Sequence, residues 1–518
     1  MELTQLMTSL KGMSVQTGAI NPVSRYNGGE IEIYSNSIKM FGNSILFIGK
    51  QKTEKFLFTI SLANDGEAVK EFVGEHLAQS IFGSSYSVKR CAYTHENALA
   101  LREAFPFTRP VVLGLADSYG FGDRLGLANP AHIRSLAGSH MRPILAQQSV
   151  RELERTQRTA EDVVDAASWA VFQEGFIWGF GADADHLKTC EDIDRYARAG
   201  FTMYTFDPSA FVINEAVSLP LNEVVQRISQ IDAGDLTLDD VIVRYVDQSV
   251  NLDGAVLQPT KDMVTRALLK YGGVIAHTNK LYKHLTGKYS SLQTEVEMSV
   301  DETDIPTTPF EHYFIANELR RLGVKIISLA PRFIGDFEKG VDYRGDLTAF
   351  EKEYRQHISI AKITGPYKIS IHSGSDKFSV YKVIGALNLG AVHVKTAGTS
   401  YLEALRTASF VQPGLIREIL DFSRDQFEES KKSYHVTAVL EKVPTGAACS
   451  DERLTALFDE HDARQVFHVT FGKVLTTLDS AGKLLFKDRL MACLKENEEL
   501  HYATIIKHFR KHLDPFKK

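Results

Sequence analysis

From Glu295 to Val300 polar and apolar positions alternate: Val296, Met298 and Val300 on one face, Glu295, Glu297 and Ser299 on the other. A period of two predicts a strand with an apolar outer face and a polar inner face. The run then enters an acidic loop, Asp301-Glu302-Thr303, a Pro-containing turn, and a helix from about Phe310 whose first turn carries His312. Carboxylates carried into a strand-to-helix loop fit the catalytic rim of a β/α barrel. An edge strand with a solvated face would alternate in the same way.

The same unit recurs along the chain. Val163, Val164, Ala167, Val171 and Phe172 recur at three- and four-residue spacing, which predicts a helix over Thr159–Gly175. FIWGFGADADHLKT (176–189) reads as a strand running into Asp183, Asp185 and His186, and residues 191–209 repeat the order helix, glycine stop, strand. Further units lie at 312–333, 355–387 and 388–408; in the second, Ser370 and His372 share a strand face opposite Ile369 and Ile371. Regular alternation of helix and strand requires parallel strands with crossover helices. Polar residues gathered at strand ends favour closure, so the expected fold is α/β: a TIM-like (β/α) barrel over 109–440, with a helical insertion at about 210–290 that could form a lid or side subdomain.

Residues 1–108 read as a separate α+β layer, covering one end of the barrel or making an oligomer contact. SILFIGK and KFLFTISLA form a hairpin, and EAVKEFVGEHLAQSIF (67–82) has helical spacing. At 109, RPVVLGLADSYGFGDRLGLANPAHI begins as a buried strand and continues as a Gly-rich loop. Past residue 430 one more strand, YHVTAVL, precedes a mostly helical extension over 441–518.

Composition narrows the class without choosing a function. The chain is 44% hydrophobic and 24% charged, with a net charge of −6, and its one basic run, the terminal KHFRKHLDPFKK, reads as a solvated helix end rather than a nucleic-acid patch. No run approaches the length of a membrane helix, and no signal peptide stands at the N-terminus. Four cysteines, widely spaced and without a CxxC pair, read as reduced thiols of a cytoplasmic protein.

Candidate chemistry collects at the strand ends: Asp185 and His186, Glu302, His312, His372 with Ser373, Ser375 and Lys377, and Lys395. Three histidines on separate elements suit a divalent cation such as zinc, manganese, nickel or cobalt, although among 17 histidines several fall near strand ends by chance. His277 and His284 share one helix face, as a packed face or a site would place them. Lys377 or Lys395 could instead serve as a Schiff-base lysine. The glycines of GFGDRLG would let backbone approach a ligand, and Arg124 could clamp a carboxylate or phosphate; a structural Arg–Asp pair explains it equally well. The loop lacks the third glycine of a dinucleotide fingerprint.

GDRLGLA (122–128), GADADHLKT (181–189), VDET followed by PTTPFEH (300–312), SLAPRFIGDFEKGVDY (328–343) and HSGSDKFSVYK (372–382) together resemble the tagaturonate/fructuronate epimerases of bacterial hexuronate catabolism. The likeness spans most of 110–440 in the same order. It implies a metal-dependent barrel isomerase interconverting D-tagaturonate and D-fructuronate, with His186, His312 and His372 as metal ligands and Asp185 and Glu302 as the acid/base pair. Arg124, Ser373, Lys377 and Lys395 are the candidates for holding substrate. The two sugars differ at the hydroxyl-bearing carbon β to the ketone, whose proton is not acidic, so retro-aldol cleavage and re-addition is the expected route. Transient oxidation by a held nicotinamide is the alternative. A class II-type aldolase or a ketose isomerase on sugar acids is the competing enzyme reading, and a sugar-acid binding protein the non-catalytic one. The expected partner is a small sugar acid, with homo-oligomer formation left open.

Overall fold

A computed structural model describes residues 3–12, 16–17, 21–26, 31–62, 66–77 and 86–517. Its centre is a closed barrel of eight parallel strands: β1 Ser118–Phe121, β2 Arg142–Ser149, β3 Gly181–Leu187, β4 Met203–Phe206, β5 Glu295–Ser299, β6 Ser328–Ala330, β7 Lys368–Ile371 and β8 Val392–Thr396. Strand β1 closes the ring by pairing with both β2 and β8. The predicted alternation on β5 sets the inside and the outside. Val296 and Met298 join the core under the surrounding helices, whereas Glu297 and Ser299 point inward and are buried.

The crossover helices start where the sequence provides caps. Thr159, Thr189 and Thr308 each close a capping box, starting helices α1 Ala160–Glu174, α2 Cys190–Ala199 and α3 Pro309–Arg321. Gly175 ends α1 in the left-handed conformation at φ 60°. The insertion between β4 and β5 holds two short helices, a small hairpin and the long helix Lys261–Lys288. There His277 bonds the Lys188 carbonyl and His284 bonds Asp194, so both serve packing.

Four segments depart from expectation. Residues 109–117 form no strand: Pro110 lacks an N–H, Gly114 turns at φ 58°, and the amides of Leu113 and Gly114 donate to the Glu295 carboxylate. In FIWGFG, Ile177 and Trp178 are exposed and the strand begins only at Gly181. Of the helix expected over 67–82, Glu67–Val69 is a 3₁₀ turn and Glu75–Leu77 pairs with Tyr86–Cys91; residues 78–82 lie outside the described residues. YHVTAVL pairs with no strand among the described residues. The amides of Thr437, Ala438 and Val439 instead donate to the Gln465 and Asp462 side chains.

The N-terminal antiparallel sheet, with the expected hairpin at Ser44–Gln51 and Glu54–Leu62, packs on the flank of the barrel against Trp169 and Phe172 of α1. A second core, formed by helices from Thr399 onward, includes Leu402, Leu420, Phe467 and Leu494. These helices make up a C-terminal unit around that core. Its last helix, α4 Glu498–Leu513, returns to the barrel and packs Phe509 against Tyr119 and Phe121.

Candidate active site

The carboxyl ends of β3, β5 and β7 converge. The pairing of β3 with β4 shifts by one residue between Ala184 and Leu187, and His186 takes φ 57°. A bulge of this kind re-aims a side chain, so Asp185 and His186 both face the mouth where a regular strand would separate them. His186 Nδ1 lies 2.8 Å from Asp185 Oδ1, leaving Nε2 3.5 Å from Asp301 Oδ1. His372 mirrors this arrangement: Nε2 is 2.6 Å from Glu297 Oε1 and Nδ1 is 2.9 Å from Asp301 Oδ1. One donor atom from each of His186, Asp301 and His372 falls within 4.8 Å of the others. The buried Nε2 of His186 has no hydrogen-bond partner among the described residues.

Beneath this group lies a buried ion cluster. Lys395 Nζ is 2.6 Å from Asp183, 2.9 Å from Asp185 and 2.9 Å from Glu297. Burial pushes the Asp183 carboxyl up to about 6. Burial opposes ionisation of Asp185 as well, but the charges of His186 and Lys395 outweigh it and hold that carboxyl well below its usual range. At His372 burial works against the charged ring, yet Asp301 and Glu297 raise it to about 8. A barrel interior normally filled by branched aliphatic side chains here holds Asp183, Glu297, Lys368, His393 and Lys395, all buried. Interior charge is expensive in desolvation, so its concentration under one rim marks that rim as functional.

The pattern fits a metal. In metal sites the ligating imidazole uses one nitrogen while a carboxylate holds the other. His186 backed by Asp185 and His372 backed by Glu297 both have that form, with Asp301 as the oxygen donor. Two histidines and one carboxylate suit a borderline divalent ion.

A cleft of about 750 Å³ opens above this group, lined by Glu302, Arg332, Lys339 and Ser373 among others, and by 432–435 from the C-terminal unit. Glu302 faces it and lies 3.5 Å from Arg151. Ser373, at φ 51°, accepts a hydrogen bond from Lys339 Nζ at 2.7 Å.

Other expected site residues lie elsewhere. His312 is fully buried in α3, with Nδ1 2.8 Å from His357 Nδ1 and Nε2 2.8 Å from the Tyr367 hydroxyl, so it is not brought to the metal group. The inner face of a crossover helix meets the outside of the barrel wall, not its mouth. Arg124 donates to Glu152 at 2.8 Å and stacks 3.5 Å over the Phe471 ring, tying the C-terminal unit to the barrel. Lys377 Nζ donates to the carbonyls of Glu338, Val341 and Ser375, which orders the loop behind the cleft. In GFGDRLG a Cβ on Gly122 would lie 2.7 Å from backbone of Thr396 and Ala397, so this glycine admits the neighbouring strand. Asp301, Glu297, Arg332 and Lys339 were not singled out from sequence. Glu297 did lie on the predicted inner face, and Asp301 in the acidic loop.

A closed parallel barrel with convergent histidines and carboxylates at the carboxyl ends of its strands defines a (β/α)-barrel enzyme. Residues 34–516 match the family model described as tagaturonate epimerase. A curated tagaturonate/fructuronate epimerase of Thermotoga maritima is 44% identical over 487 residues, which cover 94% of this chain and 97% of that protein. Crystal structures of the fructuronate-tagaturonate epimerase UxaE from Cohnella laeviribosi superpose with TM-scores of 0.88 (native) and 0.87 (with one glycerol), at 38% identity. They cover 94% of this chain and 97% of theirs. The chain belongs to the tagaturonate epimerase family and is an isomerase.

Proposed function

We propose that this enzyme interconverts D-tagaturonate and D-fructuronate in the cleft above β3, β5 and β7, with a divalent cation held by His186, Asp301 and His372. The observation that carries this reading is the pair of carboxylate-backed imidazoles converging with Asp301, in a chain of this family. Such an ion supplies Lewis-acid stabilisation of negative charge developing on substrate oxygens.

The chain's own groups do the rest. Asp185 and Glu297 fix the ring orientations of the two histidines. This assigns Asp185 a positioning role in place of the acid/base role, because its Oδ1 is engaged by both His186 and Lys395. Glu302 opens to the cleft and takes the proton of the hydroxyl on the carbon to be inverted. The bond between that carbon and the one α to the ketone then breaks. Its electrons pass to the ketone fragment as an enediolate, and the other fragment becomes an aldehyde. Rotation presents the opposite aldehyde face, the carbon–carbon bond re-forms, and Glu302 returns the proton. A cytosolic location belongs to the same proposal, in keeping with four free cysteines.

The test is turnover of D-tagaturonate in D₂O with resolution of all products. The expected result is fructuronate carrying no deuterium at the inverted carbon, since its C–H bond is never broken. Deuterium there would sink the retro-aldol route, and accumulating three-carbon fragments would make the enzyme an aldolase.

A further inference from the structure

The charges of the cleft are unevenly paired. On its acidic side Asp301 meets the two histidines, Glu302 meets Arg151, and Asp304 accepts from the Asn214 amide at 2.9 Å. On its basic side Arg332 forms no ion pair among the described residues, and its buried Nε has no hydrogen-bond partner there. Lys339 Nζ donates to the neutral Ser373 hydroxyl at 2.7 Å and forms no ion pair among the described residues. Arg332 follows the end of β6 by two residues. Its amide donates to Thr307 Oγ1 at 3.1 Å and its carbonyl accepts from the Thr307 amide at 2.8 Å, which fixes its backbone beside the acidic loop. Lys339 sits against the residue that follows His372. Two half-buried cations without anionic partners among the described residues thus share a cavity with Asp301 and His372. Burying a guanidinium without a partner is costly unless a ligand supplies the anion.

We infer that Arg332, assisted by Lys339, binds the carboxylate of the substrate and sets the preference for sugar acids over neutral ketohexoses. The inference rests on the reading above only in taking this cleft as the substrate site. A planar guanidinium matches a carboxylate in two parallel hydrogen bonds, whereas an ammonium offers a point charge. Arg124, Lys377 and Lys395 cannot take this part: each is buried and already engaged by protein groups.

The test uses the metal-loaded enzyme and its Arg332→Met and Arg332→Lys variants. It measures kcat and KM on D-tagaturonate, and calorimetric affinity for D-galactonate, a sugar acid without a ketone, against galactitol, its neutral counterpart. Loss of a charge-assisted contact predicts that Arg332→Met weakens galactonate binding and raises the tagaturonate KM by about 10- to 100-fold, with galactitol affinity unchanged. Arg332→Lys should recover part of the loss. Equal weakening of galactonate and galactitol, or galactonate binding indifferent to both substitutions, would overturn the inference. A wild-type enzyme that binds galactonate through Arg332 yet leaves tagaturonate unchanged would contradict the function and leave this assignment standing.

Discussion

At the scale of single residues, the site depends on which nitrogen of each histidine is spoken for. Asp185 and Glu297 hold one nitrogen of His186 and His372 and aim the other at Asp301. Asp301→Ala should therefore abolish metal binding, a larger loss than the roughly 10- to 100-fold that follows removal of an outer-shell partner. His312→Gln should keep its metal, because the two ring nitrogens of His312 are taken up by His357 and Tyr367. Metal content per chain after dialysis against buffer separates the two; a metal-free His312→Gln would reverse the assignment. The sequence made His186, His372, Glu302 and Ser373 visible because each ends a strand or follows one. It could not separate Asp301 from its acidic neighbours, since only the closed ring shows which carboxylate meets histidines from β3 and β7. His312 misled because a histidine in the first turn of a helix does not reveal its face. Arg332 and Lys339 lie within SLAPRFIGDFEKGVDY, but which cations lack an anionic partner is visible only in the folded chain.

Among the elements, the helix–glycine–strand units were legible because their caps and periodicity are local. The bulge at Asp185–His186 was not: it appears only in the register against β4. Long-range anchors were hidden for the same reason. Glu498, at the start of α4, accepts from the Tyr34 hydroxyl at 2.7 Å and pairs with Lys55 at 3.1 Å and Lys50 at 3.3 Å, fastening the N-terminal sheet to the last helix of the C-terminal unit. Removing one partner of a buried ion pair costs about 3–5 kcal/mol, so Glu498→Ala should lower unfolding stability by that order in urea titration, with the N-terminal sheet loosening first. Burial opposes its ionisation, yet Lys55 and Lys50 bring Glu498 down to about 2 in the folded chain. A depressed carboxyl stabilises above its unfolded value and loses that contribution as pH falls. The wild type should therefore lose stability between about pH 4.5 and 2, and Glu498→Gln should lose less over the same window. Parallel acid-denaturation curves would contradict this.

For the whole molecule, the barrel trades part of its core for charge. Its outward strand faces bury Tyr119, Phe121, Val394 and Met298 under helices, while Asp183, Glu297, Lys368 and Lys395 occupy the interior. The N-terminal sheet, the C-terminal helices and the return of α4 supply further buried apolar surface around that interior. A second group of potential ligands, Asp376, His508 and His512, belongs to this scaffold. Arg464 occupies Asp376 at 2.6 Å, and His512 Nε2 accepts the Asp376 amide, so the cluster clamps α4 to the rim. The barrel class was readable from helix–strand alternation together with polar residues at the strand ends, whereas the docking of the flanking units depended on contacts hundreds of residues apart.

On the proposed function, one divalent ion at His186, Asp301 and His372 makes this cleft an epimerase. Its decisive experiment is titration of chelator-stripped wild-type enzyme with each of zinc, manganese, nickel and cobalt, following bound metal and tagaturonate-to-fructuronate turnover together. Turnover should be negligible in the stripped enzyme, rise in proportion to bound metal and reach its plateau at about one ion per chain. Full turnover in enzyme shown to hold no metal would contradict it.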